Sequence, residues 1–125
     1  MKWAKLITAL IDVESKGNLD AVGDAGLAVG PLQAHPDVVT DVNNVYSTQF
    51  TLADRTDLDK AKAIFVMYVT WYCRYERLGR NATARDCALC WHYGPSYRRI
   101  KVDSGDGSTW TDDPDGYWDK VLKVI

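Results

Sequence analysis

A chain of 125 residues is one domain's length and long enough for a single core. Hydrophobic residues at 46% exclude a disordered polymer. With 15 basic against 17 acidic residues, a net charge of -2, the chain lacks the basic surplus that a nucleic-acid binder needs.

In chain order, residues 2 to 15 come first. Trp3, Leu6, Ile7, Leu10 and Ile11 recur there at helical spacing, and Lys16-Gly17-Asn18 supplies the stop. Residues 17 to 34 carry Gly17, Gly23, Gly26 and Gly30, which a long helix would not tolerate. A glycine-rich loop or a small β-hairpin fits better. Pro36 opens a short helix through Val38, Val39 and Val42. Thr48 to Arg55 is polar and reads as a loop. Thr56 or Asp57 then caps a long helix to about Leu78, striped by Leu58, Ala61, Phe65, Tyr68, Tyr72 and Tyr75 and closed by Gly79. A further helix runs from Thr83 to about Tyr93 and stops at Gly94-Pro95. Residues 103 to 116, rich in Asp, Gly and Ser, read as an exposed loop. Asp115 caps a last helix bearing Tyr117, Trp118, Val121 and Leu122. The expected fold class is mainly α, one domain over residues 1–125, with one small β-hairpin or glycine-rich loop early in the chain.

Cys73, Cys87 and Cys90 are odd in number and crowded together, a poor disulfide framework that suits a reducing compartment. Cys87-x-x-Cys90 followed by His92 is a weak zinc signal without a second pair, and buried thiols are the simpler reading. The acids from Asp103 to Asp115 lack the alternation of a calcium loop. No metal or cofactor is expected. Asp12 and Glu14 interrupt the N-terminal apolar run, so no signal peptide is expected, and no stretch reaches the length of a membrane span.

Glu14 carries the chemistry. Leu10 lies four residues before it, Ile7 seven and Trp3 eleven, so all four share one helix face. That face is apolar and points to the core, which carries the carboxyl to the rim of the interior. Desolvation there disfavours the charged form, as a general acid requires. The plain alternative is a solvated Glu near a frayed helix end, and the stripe by itself leaves the two readings level.

The residues after Glu14 add to this. Glu14-Ser15 is followed by Gly30-Pro31-Leu32-Gln33, and far downstream comes Trp91-His92-Tyr93-Gly94-Pro95. Together they resemble the lysozyme-like superfamily of goose-type and invertebrate-type lysozymes and lytic transglycosylases. In that superfamily a Glu-Ser pair ends a helix, and a Gly-x-x-Gln element in a hairpin or loop floors the sugar cleft. The likeness covers roughly residues 3 to 35 and 83 to 96. Trp91, His92 and Tyr93 stand where the transglycosylase element has Tyr-Asn-Ala, and the cysteine framework of invertebrate-type lysozymes is missing. The chain also lacks the net positive charge of many enzymes that act on anionic walls.

The resemblance implies an α+β lysozyme-like fold and a bacteriolytic muramidase. Such an enzyme hydrolyses the β-1,4 linkage between N-acetylmuramic acid and N-acetylglucosamine, with Glu14 as general acid. A chitin-like polymer shares the linkage and stays open as substrate. The implied partner is a peptidoglycan glycan strand, met by a monomer that neither inserts into membranes nor binds nucleic acid. A wall hydrolase made in the cytoplasm without a signal would act after release, as phage endolysins do. Asp24 is the candidate second carboxylate, in a loop able to face Glu14. Gly23-Asp24 suits an ordinary turn equally well. Ser15, Gln33 and His92 are candidates to bond the sugar or orient Glu14, though Ser15 also fits a capping role and Gln33 a structural one. Trp91 and Tyr93 fit sugar stacking, and fit the core better. His35, before Pro36, reads as a loop residue. If Asp24 takes no part, the transglycosylase route to an anhydro sugar is the alternative. A non-catalytic sugar-binding module on the same fold is the reading from another class.

Overall fold

The computed structural model describes residues 3–97, 100–103, 108–111 and 113–125, with the backbone alone for the stretches between 100 and 111. It is mainly helical, with two small antiparallel hairpins among the described residues. Helix α1, Trp3–Ser15, buries Leu6, Ile7, Ala9 and Leu10. It ends where Lys16 (φ 52°) and Gly17 (φ 84°) turn left-handed.

Of the two readings for residues 17 to 34, the hairpin is the one found. Strands β1, Val22–Gly23, and β2, Ala28–Val29, pair with Val22 opposite Val29 and Gly23 opposite Ala28, around a 3₁₀ turn at Asp24–Gly26. The return from β2 needs glycine at position 30. Its φ is +92°, and a Cβ there would stand 1.8 Å from the Arg55 carbonyl oxygen. Arg55 itself is buried, and its guanidinium donates to the carbonyls of Leu27, Ala34 and Leu52, each at 3.0 Å. Three carbonyls that water would otherwise satisfy are thereby held inside, although burial depresses the guanidinium pKa. Thr48 to Arg55 is therefore not all loop. Leu52–Thr56 is a 3₁₀ turn started by a reciprocal Thr51–Asp54 capping box.

Helix α2, Pro36–Tyr46, lies against helix α3, Leu58–Tyr72, which Asp57 caps by accepting from the Lys60 N–H. The long helix expected to reach Leu78 breaks at Cys73 and Arg74, and a short helix α4, Tyr75–Leu78, follows. Arginine side chains explain how the break is tolerated. Arg74 stacks on Trp71 and donates to its carbonyl at 2.7 Å, and Arg77 donates to the Tyr72 carbonyl at 3.0 Å.

Helix α5, Ala84–Tyr93, starts from a Thr83–Asp86 capping box. Asp86 is buried yet richly bonded, taking a two-armed bond from Arg80 (2.6 and 2.8 Å) and the Tyr97 hydroxyl (2.7 Å). Burial works against its charge, but Arg80, Thr83 and Tyr97 together hold its carboxyl well below the usual range.

Residues 103 to 116 are only partly the expected loop. Strands β3, Ile100–Asp103, and β4, Ser108–Thr111, form a second antiparallel hairpin. Helix α6, Tyr117–Leu122, has Gly116 at its cap position, and the capping carboxylate is that of Asp113, not Asp115. Asp113 accepts the N–H groups of Tyr117 (2.8 Å) and Trp118 (3.0 Å). Helix α1 packs against α5 and α6, and α5 against α3, around one cluster that includes Leu10, Phe65, Leu89 and Val121. No helix among the described residues is long and apolar enough to cross a membrane.

Candidate active site

Helix α1 delivers Glu14 to a cavity of about 130 Å³ lined by Asp24, Gln33, His35, Trp91 and His92, with Ala28 between them. A second cavity of about 280 Å³ shares Gln33, His35, Trp91 and His92 and extends along α2. The two together make a groove between the first hairpin, α2 and the end of α5. A roomier cavity, about 520 Å³, lies among Trp3, Val69, Cys73 and Cys87, but neither a carboxylate nor an imidazole lines it.

Glu14 keeps 15% of its side-chain surface exposed. The Tyr117 hydroxyl donates to its Oε1 at 2.6 Å. Burial first, then the charge and hydrogen bond of Glu14, push the Tyr117 hydroxyl far above the usual phenol range, so it stays a donor. His92 Nδ1 is 3.7 Å from the same Oε1, too far for a hydrogen bond. The His92 ring lies flat on Tyr117, centroids 4.0 Å apart and planes 7° apart. Among the described residues nothing bonds Oε2, and no fully buried side-chain oxygen lacks a partner, so Oε2 keeps contact with solvent.

Asp24 borders the same cavity under different conditions. Its carboxylate is 68% exposed and meets His35 Nε2 at 2.8 Å. Its backbone, with that of Ala25, sits in the left-handed region (φ 49° and 57°), where Asp is tolerated better than most residues.

The other expected site residues fall into place as supports. The Ser15 hydroxyl donates to the Pro31 carbonyl at 2.7 Å and accepts the Gly17 N–H, tying the end of α1 to the loop. Gln33 borders the groove while its amide nitrogen donates to Ala21 (3.0 Å) and Gly30 (2.9 Å), which fixes the hairpin's return. Trp91 touches both cavities, but Phe65 and Tyr68 pack edge to face on it, and its indole N–H donates to the Leu32 carbonyl at 2.8 Å. It belongs to the core and is not an open stacking surface. The Tyr93 hydroxyl is likewise engaged, donating to Asp113 at 2.7 Å and accepting the Asp115 N–H at 2.9 Å. Only His92, of that trio, offers ring nitrogens to the groove without a hydrogen bond to a described residue.

Two residues that hold the candidate acids escaped the sequence reading in their roles. His35, read as a loop residue, is the partner of Asp24. Tyr117, read as one more apolar position of the last helix, is the partner of Glu14. A buried tyrosine hydroxyl must find a bond, which was the available signal for Tyr117, but nothing in the pattern named the acceptor. Cys73, Cys87 and Cys90 are buried and not joined in a disulfide, and among the described residues no cluster of His, Cys, Asp or Glu is arranged to hold a metal. No family model matches this chain, and the comparisons with curated proteins and with solved structures found no significant match.

Proposed function

We propose that this chain is a lysozyme-like glycosidase that cleaves the β-1,4 linkage of peptidoglycan, with Glu14 as general acid. The observation that carries the reading is the state of Glu14, nearly enclosed at a helix end with one oxygen engaged and the other open to a groove. A glycan strand lying in that groove would present its bridging oxygen to Oε2. The proton passes to that oxygen as the C1–O bond breaks, and the departing sugar leaves as an alcohol. Asp24, across the cavity, would steady the positive charge that grows at C1 or steer the water that completes hydrolysis.

One observation favours a second route. The Asp24 carboxylate is already paired with His35 and lies largely in solvent, which suits a mechanism with a single protein acid. The sugar's own acetamido group and hydroxyl would then close an anhydro ring, as in lytic transglycosylases.

Clearing of wall suspensions by wild type and by Glu14→Gln tests the main claim. Wild type should clear and the variant should not; equal clearing by both removes Glu14 from the chemistry. Mass spectrometry of the released fragments then separates reducing ends from anhydro ends. A protein that binds walls and releases nothing would be a sugar-binding module instead.

A further inference from the structure

We infer that Tyr117 is the positioning residue of this site, fixing which oxygen of Glu14 carries the proton that is delivered. The inference rests on the glycosidase reading and deepens it. Tyr117 does not line the groove; it stands behind Glu14, almost fully buried, on α6, which packs against α1. Its hydroxyl donates to Oε1 at 2.6 Å. An oxygen that accepts so short a bond is a poor place for a proton, so the neutral acid keeps its proton on Oε2, the oxygen that solvent and substrate reach.

Two arrangements hold the phenol there. The flat His92 ring restricts its tilt from the α5 side. From below, Asp113 caps α6 through the N–H of Tyr117 itself, while the Tyr93 hydroxyl donates to that same carboxylate. Burial opposes the Asp113 charge, but the bonds from Tyr93, Trp118 and Tyr117 hold its carboxyl below the usual range, so the cap is charged at neutral pH. Among the described residues, the titratable groups that face Glu14 from other elements are Tyr117 from α6, His92 from α5 with Asp115 beyond it, and Asp24 with His35 across the cavity.

Tyr117→Phe removes the hydroxyl and keeps the ring. With a soluble wall oligosaccharide, kcat at its optimum should fall on the order of 10- to 100-fold, the cost of a misplaced catalytic group, with KM changed less than about twofold. The basic limb of the pH profile should move to higher pH, since a donor that favours the carboxylate has gone. A loss confined to KM, or an unchanged kcat and pH profile in a folded variant, overturns the inference. The carboxyl carbon resonance of Glu14, followed by ¹³C NMR, should titrate at higher pH in Tyr117→Phe than in wild type. That measurement needs no turnover, so it answers even if Glu14→Gln clears walls normally and the glycosidase reading fails. If Tyr117→Phe does not fold, wild type decides. A tyrosine hydroxyl proton should appear downfield of the amides and vanish in Glu14→Gln or shift strongly there; its absence from wild type overturns the inference.

Discussion

The two carboxylates that face the groove are held in opposite ways. Glu14 is 15% exposed and its partner, Tyr117, comes from 103 residues away. Asp24 is 68% exposed and its partner, His35, comes from the same loop region, 11 residues on. One wall of the groove is thus tertiary, a helix end clamped by two other helices. The other is local, a hairpin whose shape is set by glycine, a buried arginine and its own backbone bonds. Under the proposed glycosidase reading the difference divides the tasks: an enclosed carboxyl can place a proton at one oxygen, whereas a solvated one offers charge and little directional control.

The contrast breaks hardest at Glu14. Glu14→Gln keeps the shape and a carbonyl for Tyr117 to bond but has no acidic proton, and wall-clearing rates should fall by about 10³-fold or more. Next comes Gly30→Ala, which attacks the local wall without touching either acid. A Cβ 1.8 Å from the Arg55 carbonyl oxygen, at φ +92°, forces the hairpin away from the turn beneath it. Strain and overlap together should cost roughly 3 kcal/mol, a drop in Tm on the order of 10 °C by calorimetry. Activity should suffer more than stability alone explains, because Asp24 and Gln33 move with the hairpin. An unchanged Tm would mean that the loop is held less tightly than Arg55 suggests. Asp24→Asn removes the charge alone, and a rate loss of about 10-fold is expected if its role is electrostatic. A loss as deep as that of Glu14→Gln would promote Asp24 to an equal partner, and no loss would leave the anhydro-forming route.

The same division explains what the sequence could and could not say. Helix α1, the helix that begins near Thr83 and the glycine-rich segment from Gly17 to Ala34, read as loop or hairpin, depend on neighbours within a turn or two, and periodicity and glycine placement expose them. So does the apolar stripe that ends at Glu14. The break at Cys73 was invisible because Arg74 and Arg77 satisfy the freed carbonyls through side chains that helix propensity does not register. The second hairpin was hidden by composition. Ile100-Lys101-Val102-Asp103 alternates with a period of two, but four residues are too short a signal beside the run of Asp, Gly and Ser that reads as loop from residue 103 onward. Asp113 and Asp115 both stand before α6, and only the cap geometry selects Asp113. Tyr117 on Glu14 is a contact between chain ends, and no local pattern encodes it.

The smallest effect sharpens the comparison most. His35 and Asp24 form an ion pair with side chains 41% and 68% exposed, and such surface pairs contribute about 0–1 kcal/mol. His35→Ala should therefore leave Tm within about 3 °C of wild type. If the pair only aims Asp24 across the groove, the rate should fall by about twofold to threefold, a small share of the roughly tenfold electrostatic role given to Asp24. Added salt should bring wild type down toward the variant while changing the variant itself much less, because screening weakens an exposed pair and cannot weaken one already absent. A loss in His35→Ala as large as that in Asp24→Asn would mean that the imidazole meets the substrate itself. The local wall would then carry a second proton-bearing group, and the contrast between an enclosed acid and a merely charged one would no longer hold.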